Sequence, residues 1–327
     1  MAIGKQSDLT VYDVLFNGSM YERIAQNIVG FNAASAGCLV LNDETLRGQY
    51  KKTSFWSALS GAVTRRDLTS VATASDSAAT QSELISVKID RKFGPYAHAI
   101  GALKSIDASV EEWFEMMGGQ YADWKLDDQL NQTLNALVAA ITVQTAVCYD
   151  ATTTSSTGLT HNNLVSGMAL FGDKASKVKC WVMHSKPFYD LVGDAISGKV
   201  TNVADVVIYG GGPGTLGKPV LVTDSSYLTD TSTSTTAYHV LGLVEGAAVA
   251  TQSAADTIAN IAQVTGLEQI SCRSQAEFDY NLALKGFTWD ATNGGANPTS
   301  AAIGTGTNWD MVATANKDLA GVLIKVV

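Results

Sequence analysis

From Ser109 to about Ala146 the apolar residues keep a helical period, and this constrains the fold more than any other feature of the chain. Val110, Trp113, Phe114, Met117, Tyr121 and Trp124 fall at i, i+3, i+4, i+7, i+11 and i+14. Leu126, Leu130, Leu134, Leu137, Val138 and Ile141 continue on a shifted stripe. Ser109 and Glu112 make a capping-box pattern at the start. Gly118-Gly119 should kink the rod, because each glycine weakens a helix by ~1 kcal/mol relative to alanine. The pattern therefore predicts one long helix, or two in line, over about 109–146. Unbroken, it would run ~55 Å at 1.5 Å per residue.

The stretch before it reads as a different element. SELISVKIDRKF (82–93) alternates cleanly, with Ile85, Val87 and Ile89 on one face and Ser86, Lys88 and Asp90 on the other. QYKKTSFWS (49–57) is extended and polar, and the residues between the two have no period. Two strands joined by a long loop predict an extended hairpin with its core at 46–93. Its charge opposes that of the helix. Leu46 to Phe93 carries Arg47, Lys51, Lys52, Arg65, Arg66, Lys88, Arg91 and Lys92 against Asp67, Asp76, Glu83 and Asp90, a net of +4. Asp107 to Asp128 carries Asp107, Glu111, Glu112, Glu115, Asp123, Asp127 and Asp128 against Lys125, a net of −6. Upstream, Met20, Ile24 and Ile28 sit at i, i+4 and i+8, which predicts a short amphipathic helix in an arm.

Downstream the chain becomes α/β. KVKCWVMH (177–184) predicts a strand and SKPFYDLVGDAI (185–196) a helix with Ser185 as N-cap. AYHVLGLVEGAAVA (237–250) predicts one strand, 254–265 is ambiguous, 266–290 reads as one or two long strands, and GVLIKVV closes the chain. GGGPGTLGKPVLVTD (210–224) tests whether the protein binds a nucleotide, because Gly212 to Lys218 matches the first seven positions of a phosphate-binding loop. Pro219 stands where the metal-holding Ser or Thr must be, and an apolar, β-branched run follows where the loop should open into a helix. DVVIYG, a Gly/Pro turn and PVLVTD therefore read as a hairpin.

Other chemistry is equally poorly supported. Cys38, Cys148, Cys180 and Cys272 form no CxxC pair, and His98, His161, His184 and His239 are scattered, so neither a metal cluster nor a nucleophile motif emerges. No cofactor is implied. The net charge of −9 argues against a dedicated nucleic-acid binder. No run approaches the ~20 apolar residues of a membrane span, and MAIGKQSDLT lacks the apolar core of a signal peptide. Only 16% of residues are charged while 46% are apolar, as suits a surface buried against copies of itself and equally a secreted β-protein. At 327 residues the length suits two domains or one large irregular one.

Two motifs in order carry a resemblance. VMHSKPFYDLVGDAI followed by GTLGKPVLVTD is similar to the central domain of tailed-bacteriophage major capsid proteins. EFDYNLALKGFTWDATNGGANPTSAAIGTGTNWDMVATANKDLAGVLIK resembles the ending of one branch of that family. The resemblance covers nearly the whole chain and implies an α+β Hong Kong 97-type capsid fold. Residues 1–35 would be the N-terminal arm and 36–104 the extended loop and its connection. Residues 105–148 would be the peripheral domain with its spine helix, 149–264 the axial α/β domain, 265–300 peripheral return strands, and 301–327 a segment returning to the axial domain.

The implied function is structural and not enzymatic: hexamers and pentamers of an icosahedral shell around double-stranded DNA, in the virion, assembled in the host cytoplasm. The implied partners are further copies, a separate scaffolding protein, a portal, a decoration protein, and DNA held without sequence-specific binding; none is a membrane. An acidic chain would let packaged DNA slide, where a basic wall would hold it. Opposite patches on neighbours fix register, so Lys51, Lys52, Arg65, Arg66, Lys88, Arg91 and Lys92 are expected to meet the seven acids of the next subunit's helix. Some relatives crosslink a Lys to an Asn, but no catalytic acid can be named beside Lys51, Lys52 or Lys88. The alternatives are a bacterial nanocompartment shell, told apart by co-purifying protein cargo, and a soluble α/β enzyme, which would need a convergent titratable cluster.

Overall fold

The computed structural model describes residues 20, 23, 24, 28, 32, 33, 35–44, 48–56, 63, 65, 68, 69, 81–105, 110–152, 158–203, 206–209, 215–232, 235–252, 258–266 and 268–327. Asp107, Ser109 and Arg66 lie outside them. In chain order come β1 (Leu39–Asp43), β2 (Tyr50–Trp56), β3 (Gln81–Ala99), α1 (Ile100–Ser105), α2 (Val110–Val143), β4 (Cys148–Asp150) and α3 (His161–Ala169). Next are β5 (Val178–Met183), α4 (Ser185–Lys199), β6 (Val200–Val203), β7 (Val206–Tyr209), β8 (Val220–Val222), β9 (Thr229–Asp230), β10 (Ala237–Val244) and β11 (Ala248–Gln252). The chain ends with β12 (Ile258–Val264), β13 (Ser271–Leu284), β14 (Phe287–Trp289), α5 (Ser300–Ile303), β15 (Trp309–Met311) and β16 (Gly321–Val326).

Two sheets share one continuous core. The first has the order β1-β11-β13-β3-β2, with β12 also on β13, and only β1/β11 is parallel. The second has the order β4-β16-β10-β5-β8, with β9 on β10. Its β4/β16 and β5/β8 pairs are parallel and the others antiparallel. The ladder explains why β3 runs past the alternating 82–93 stretch. It pairs with β2 up to Val87 and with β13 from Val87 to Ala99, shifting register once where Ser274 and Ala276 are out of step.

The long helix α2 is unbroken through Gly118-Gly119, over 34 residues, or ~51 Å. The expected kink is absent, and the Arg23 guanidinium of the arm lies in contact range of Gly119, 3.4 Å from where a Cβ would stand. Met20 and Ile24 are buried and Ile28 half-buried, and residues 20, 23, 24, 28, 32 and 33 are helical, as their spacing predicts. The second half of α2 is buried on nearly every side, and three of its polar residues meet three different neighbours. Gln129 donates to Gln252 of β11 at 3.3 Å, Asn131 accepts from Ser225 at 2.5 Å, and Asn135 donates to the Ser300 carbonyl at 2.7 Å.

That last bond belongs to a tail module. Trp289 and Trp309 pack edge to face at 4.8 Å. Their indole N–H groups donate to the carbonyls of Gly295 (3.0 Å) and Ile303 (2.9 Å). A Cβ at Gly306 would lie 2.6 Å from the Ala139 carbonyl, so the tail turn rests directly on the α2 backbone. The quoted FTWD…NPTS…NW residues are thus a docking device for the helix.

Three local expectations are corrected. The 205–224 stretch is not a hairpin: β7 pairs antiparallel with β6, whereas β8 runs parallel to β5. The 237–250 stretch is two strands, because Gly246 turns at φ +65° and donates to the Gly37 carbonyl at 2.8 Å, passing the chain from the second sheet to the first. Strands β11 and β12, inside the segment 149–264, therefore belong to the first sheet. Ser185 is inside α4 and is not its N-cap. The Asp224 carboxylate accepts from the Ser185 amide (3.2 Å) and His184 Nδ1 from the Lys186 amide (3.3 Å). Helix α3, which had no strong period, starts at Thr160, whose side chain accepts from the Asn163 amide.

His239 on β10 is buried in the second sheet, opposite Lys325. Burial pushes its imidazole below the usual value, Lys325 adds to this, and Asp230 partly opposes it. The folded state therefore holds the ring neutral, while the unfolded chain takes up a proton near pH ~6.5. This group's contribution is complete above that pH and lost as pH falls below it, at up to ~1.4 kcal/mol per pH unit. Urea midpoints at pH 7.5 and 5.5 should fall more for the native chain than for His239→Asn. Equal falls would mean that the ring is not held neutral.

Candidate inter-subunit interface

The basic hairpin forms where the sequence places it. Residues 51–56 of β2 pair with 81–86 of β3 as a two-stranded ribbon beyond the last β3–β13 pair, Val87 with Leu282. Six residues of strand reach ~20 Å. β2 ends its sheet, so its outer edge carries no strand among the described residues. At the ribbon's end Trp56 is 67% exposed, and Val63 and Leu68, in the loop beyond, are more exposed still.

The candidate charges divide into two groups. Some act within the subunit. Arg91 lies on the face of β3 shared with Val87, Ile89 and Phe93, and its Nε reaches Asp128 on α2 at 3.2 Å. Asp128 also accepts from the Tyr280 hydroxyl at 2.9 Å. Burial, with Asp128 beside it, pushes that phenol well above its usual value, so Tyr280 stays a proton donor. Lys88, on the opposite face, pairs with buried Asp279. Asp123 accepts from Nε and Nη2 of Arg23, one edge of the guanidinium, at 2.8 and 2.7 Å. Lys51 pairs with Glu44 at 2.6 Å and Lys52 with Glu83 at 3.3 Å, along the exposed ribbon.

The others face outward. Arg65 and Lys92 are exposed on the basic side, Glu112, Glu115 and Asp127 on the acidic side. Glu111 is helical, and Asp107 and Arg66 lie outside the described residues. The two exposed groups sit on different elements: Arg65 in the loop beyond the ribbon and Lys92 on β3, the acids on α2.

Sequence reasoning missed the apolar part of this surface. Met116 and Trp124 stand 49% exposed on the same side of α2 as Glu112, Gln120 and Asp127, and Tyr96 of β3 lies beside them. Helical spacing marked Trp124 as core, but here α2 turns that position outward. Arg23 was missed because a single arginine in an arm carries no pattern.

The internal role of Arg91 has a direct consequence. Arg91→Ala should lower subunit stability by about 1–2 kcal/mol, since it strips a half-buried carboxylate of its charged donor. Shell yield per folded subunit should stay the same. Unchanged denaturation midpoints with lost assembly would instead assign Arg91 to a neighbour.

Elsewhere the phosphate-loop reading finds no support. Leu216 and Gly217 turn at positive φ, Lys218 donates to the Val178 carbonyl, and strand β8 follows, not a helix. Among the described residues no group of three or more His, Cys, Asp or Glu is placed to hold a metal, and no helix is long and apolar enough to cross a membrane.

The family model for Gp13-like proteins, major capsid protein 13-like, matches residues 8–323. No curated protein matches the chain. Among solved structures, the chain is similar to one described as the Cyanophage Pam1 capsid asymmetric unit, with a TM-score of 0.55, 10% identity and 88% of each chain covered. It is also similar to one from Microbacterium phage Oxtober96, with a TM-score of 0.51, 10% identity, and 90% of this chain and 91% of that one covered. A third, from Mycobacterium phage Bobi, gives a TM-score of 0.50 at 13% identity over 88% of each chain. At such identities the likeness is one of fold.

Proposed function

The chain belongs to the major capsid protein 13-like family of bacteriophage structural proteins, which are not enzymes, and from that premise we propose that it builds an icosahedral shell of hexamers and pentamers around double-stranded DNA. In this reading the fold is of the Hong Kong 97 type. Residues 1–35 are the arm, 36–104 the extended loop, 105–148 the spine region and 149–264 mainly the axial domain. Residues 265–300 are the peripheral return and 301–327 the path back to the axial domain. Assembly takes place in the host cytoplasm, guided by a separate scaffolding protein and a portal, and a decoration protein binds outside.

The observation that carries this reading is the β2–β3 ribbon. Among the described residues no strand pairs with the outer edge of β2, and Trp56 is two-thirds exposed near its end. A two-stranded ribbon is marginal in water; this one is braced near its base, where the Ile85 amide donates to the Thr288 hydroxyl at 2.8 Å, and its exposed aromatic end favours a partner surface. The same ribbon carries the exposed bases Lys51 and Lys52, paired along it with Glu44 and Glu83, with Arg65 in the loop beyond, while α2 carries the exposed acids Glu112, Glu115 and Asp127. We assign the pairing of the two to neighbouring subunits, with Lys92 at the margin. Lys88, Arg91, Asp123 and Asp128 then hold the subunit's own surfaces in place. The net charge of −9 suits a container from which DNA must slide free.

Light scattering after size exclusion, with negative-stain microscopy of each peak, tests the reading. Hexamers, pentamers or closed shells are the expected outcome. A monomer or dimer that is unchanged by concentration or added scaffold would overturn it. Shells that co-purify with a protein cargo would point to a nanocompartment.

A further inference from the structure

Two buried thiols meet where the two sheets join. Cys38 immediately precedes β1 in the first sheet, and Cys180 lies in β5 of the second. Both have no solvent exposure. The Cys38 thiol lies 3.6 Å from the Leu243 carbonyl, and Leu243 is the residue directly across the ladder from Cys180. The Cys180 thiol itself lies 3.3 Å from the Trp181 carbonyl, and Cys180 beside it, together with burial, pushes the Cys38 thiol up. The surrounding chain is the crossing between the sheets: Gly246 donates to the Gly37 carbonyl at 2.8 Å and Ala248 to the Cys38 carbonyl at 3.3 Å. Of the four cysteines, this pair alone brings two distant segments together, and neither the shell function nor the core's need for volume requires two sulfur atoms here.

We infer that Cys38 and Cys180 are a disulfide-forming site, which staples the two sheets together when a small-molecule disulfide reaches them. The Cys180 thiolate attacks one sulfur of the small disulfide. That S–S bond breaks, and the released thiolate takes a proton. The Cys38 thiol loses its proton to solvent and attacks the Cys180 sulfur of the mixed disulfide, releasing the second small thiol. Two protein thiols are oxidised, and one small disulfide is reduced to two thiols.

Cys180 is the first nucleophile, because Cys38 beside it and the backbone at Leu221 hold its thiol below the usual value. Access comes through β1, an edge strand that pairs with β11 on one side and is held on the other by the Asn32 and Ser35 side chains. Its peeling uncovers both sulfurs without unfolding the core. A reducing compartment keeps the pair as thiols, and an oxidising one closes it. The loop so closed is more than a hundred residues long, the regime in which a crosslink constrains the unfolded chain most.

The test uses the chain with Cys148→Ser and Cys272→Ser, so that only this pair can react. Reduced protein is incubated with excess 2-hydroxyethyl disulfide, quenched in acid, unfolded with N-ethylmaleimide, and read by intact mass and peptide mapping. The expected product has lost two hydrogens, carries no maleimide, and gives one linked peptide pair joining Cys38 to Cys180. Its Tm should rise by about 5–10 °C and return on adding dithiothreitol. Cys38→Ser in the same background should give no such rise. Two maleimide adducts, or two stable mixed disulfides, would overturn the assignment. If the serine background does not fold, peptide mapping of the full-length native chain reads the same link with the same two outcomes.

Discussion

Gly242→Val is expected to lower stability by about 3 kcal/mol or more and to leave little folded protein at 37 °C. Gly242 sits mid-strand in β10, paired with Trp181 on β5 and with Val322 on β16. A Cβ added there would lie 2.6 Å from the Trp181 ring and 2.9 Å from the Val322 side chain. Both neighbours are fully buried, so neither can swing into solvent. Glycine inside a strand usually marks such a close approach: the indole lies across the position where a side chain would stand. Trp181→Leu alone should also destabilise, by roughly 3 kcal/mol, through the cavity it leaves. Combined, the two changes should fall short of their sum by more than about 1 kcal/mol, because the valine fills space the indole vacates. Urea denaturation of the four chains measures this coupling. A Gly242→Val midpoint equal to that of the native chain would falsify the packing argument.

The same strand shows what the sequence could and could not convey. The run AYHVLGLV has the apolar character of a buried strand, so its existence was legible. That it stops at Val244 and the chain re-enters a different sheet was not, because the cause is a long-range bond from Gly246 to Gly37. The helix α2 was legible because its period persists over many turns, and the ribbon because 82–93 alternates. The expected kink at Gly118-Gly119 failed because local propensity competes with packing on both flanks, and the arm's Arg23 lies against the glycine.

At the candidate interface the charges were legible but their partners were not. Arg91 and Lys92 are adjacent in sequence and identical in sign. Strand pleating sends Arg91 to Asp128 within the subunit and leaves Lys92 in solvent. Alternation alone contained that distinction: Val87, Ile89, Arg91 and Phe93 share a face. The exposed Met116 and Trp124 had no such signal, since an apolar residue at helical spacing is ordinarily core.

Converting Lys51, Lys52, Arg65 and Arg66 together to Glu is expected to reduce shell yield at least tenfold at 0.1 M salt, with the subunit still folded. The folded subunit should tolerate the change because the pairs of Lys51 with Glu44 and of Lys52 with Glu83 are exposed. Such pairs contribute ~0–1 kcal/mol each. Assembly should not tolerate it. The ribbon would turn from basic to acidic opposite Glu112, Glu115 and Asp127, and like charges across an interface select against the contact. Raising the salt to 1 M shortens the screening length from about 10 Å to about 3 Å, so yield should partly recover. Apolar contact through Trp56, Met116 and Trp124 would be unaffected by salt, so Trp56→Ser should lower yield without that recovery. A second chain carrying Glu112→Lys, Glu115→Lys and Asp127→Lys supplies the decisive arm. Alone it should also assemble poorly, because base would then meet base. Mixed with the first chain it should restore part of the yield, since each ribbon again finds an opposite charge on some neighbours. Electron microscopy and sedimentation of the two chains, separate and mixed, read the result. Full assembly of either chain alone, with native salt dependence, would mean that these charges face solvent and that the ribbon docks by its edge and its tryptophan.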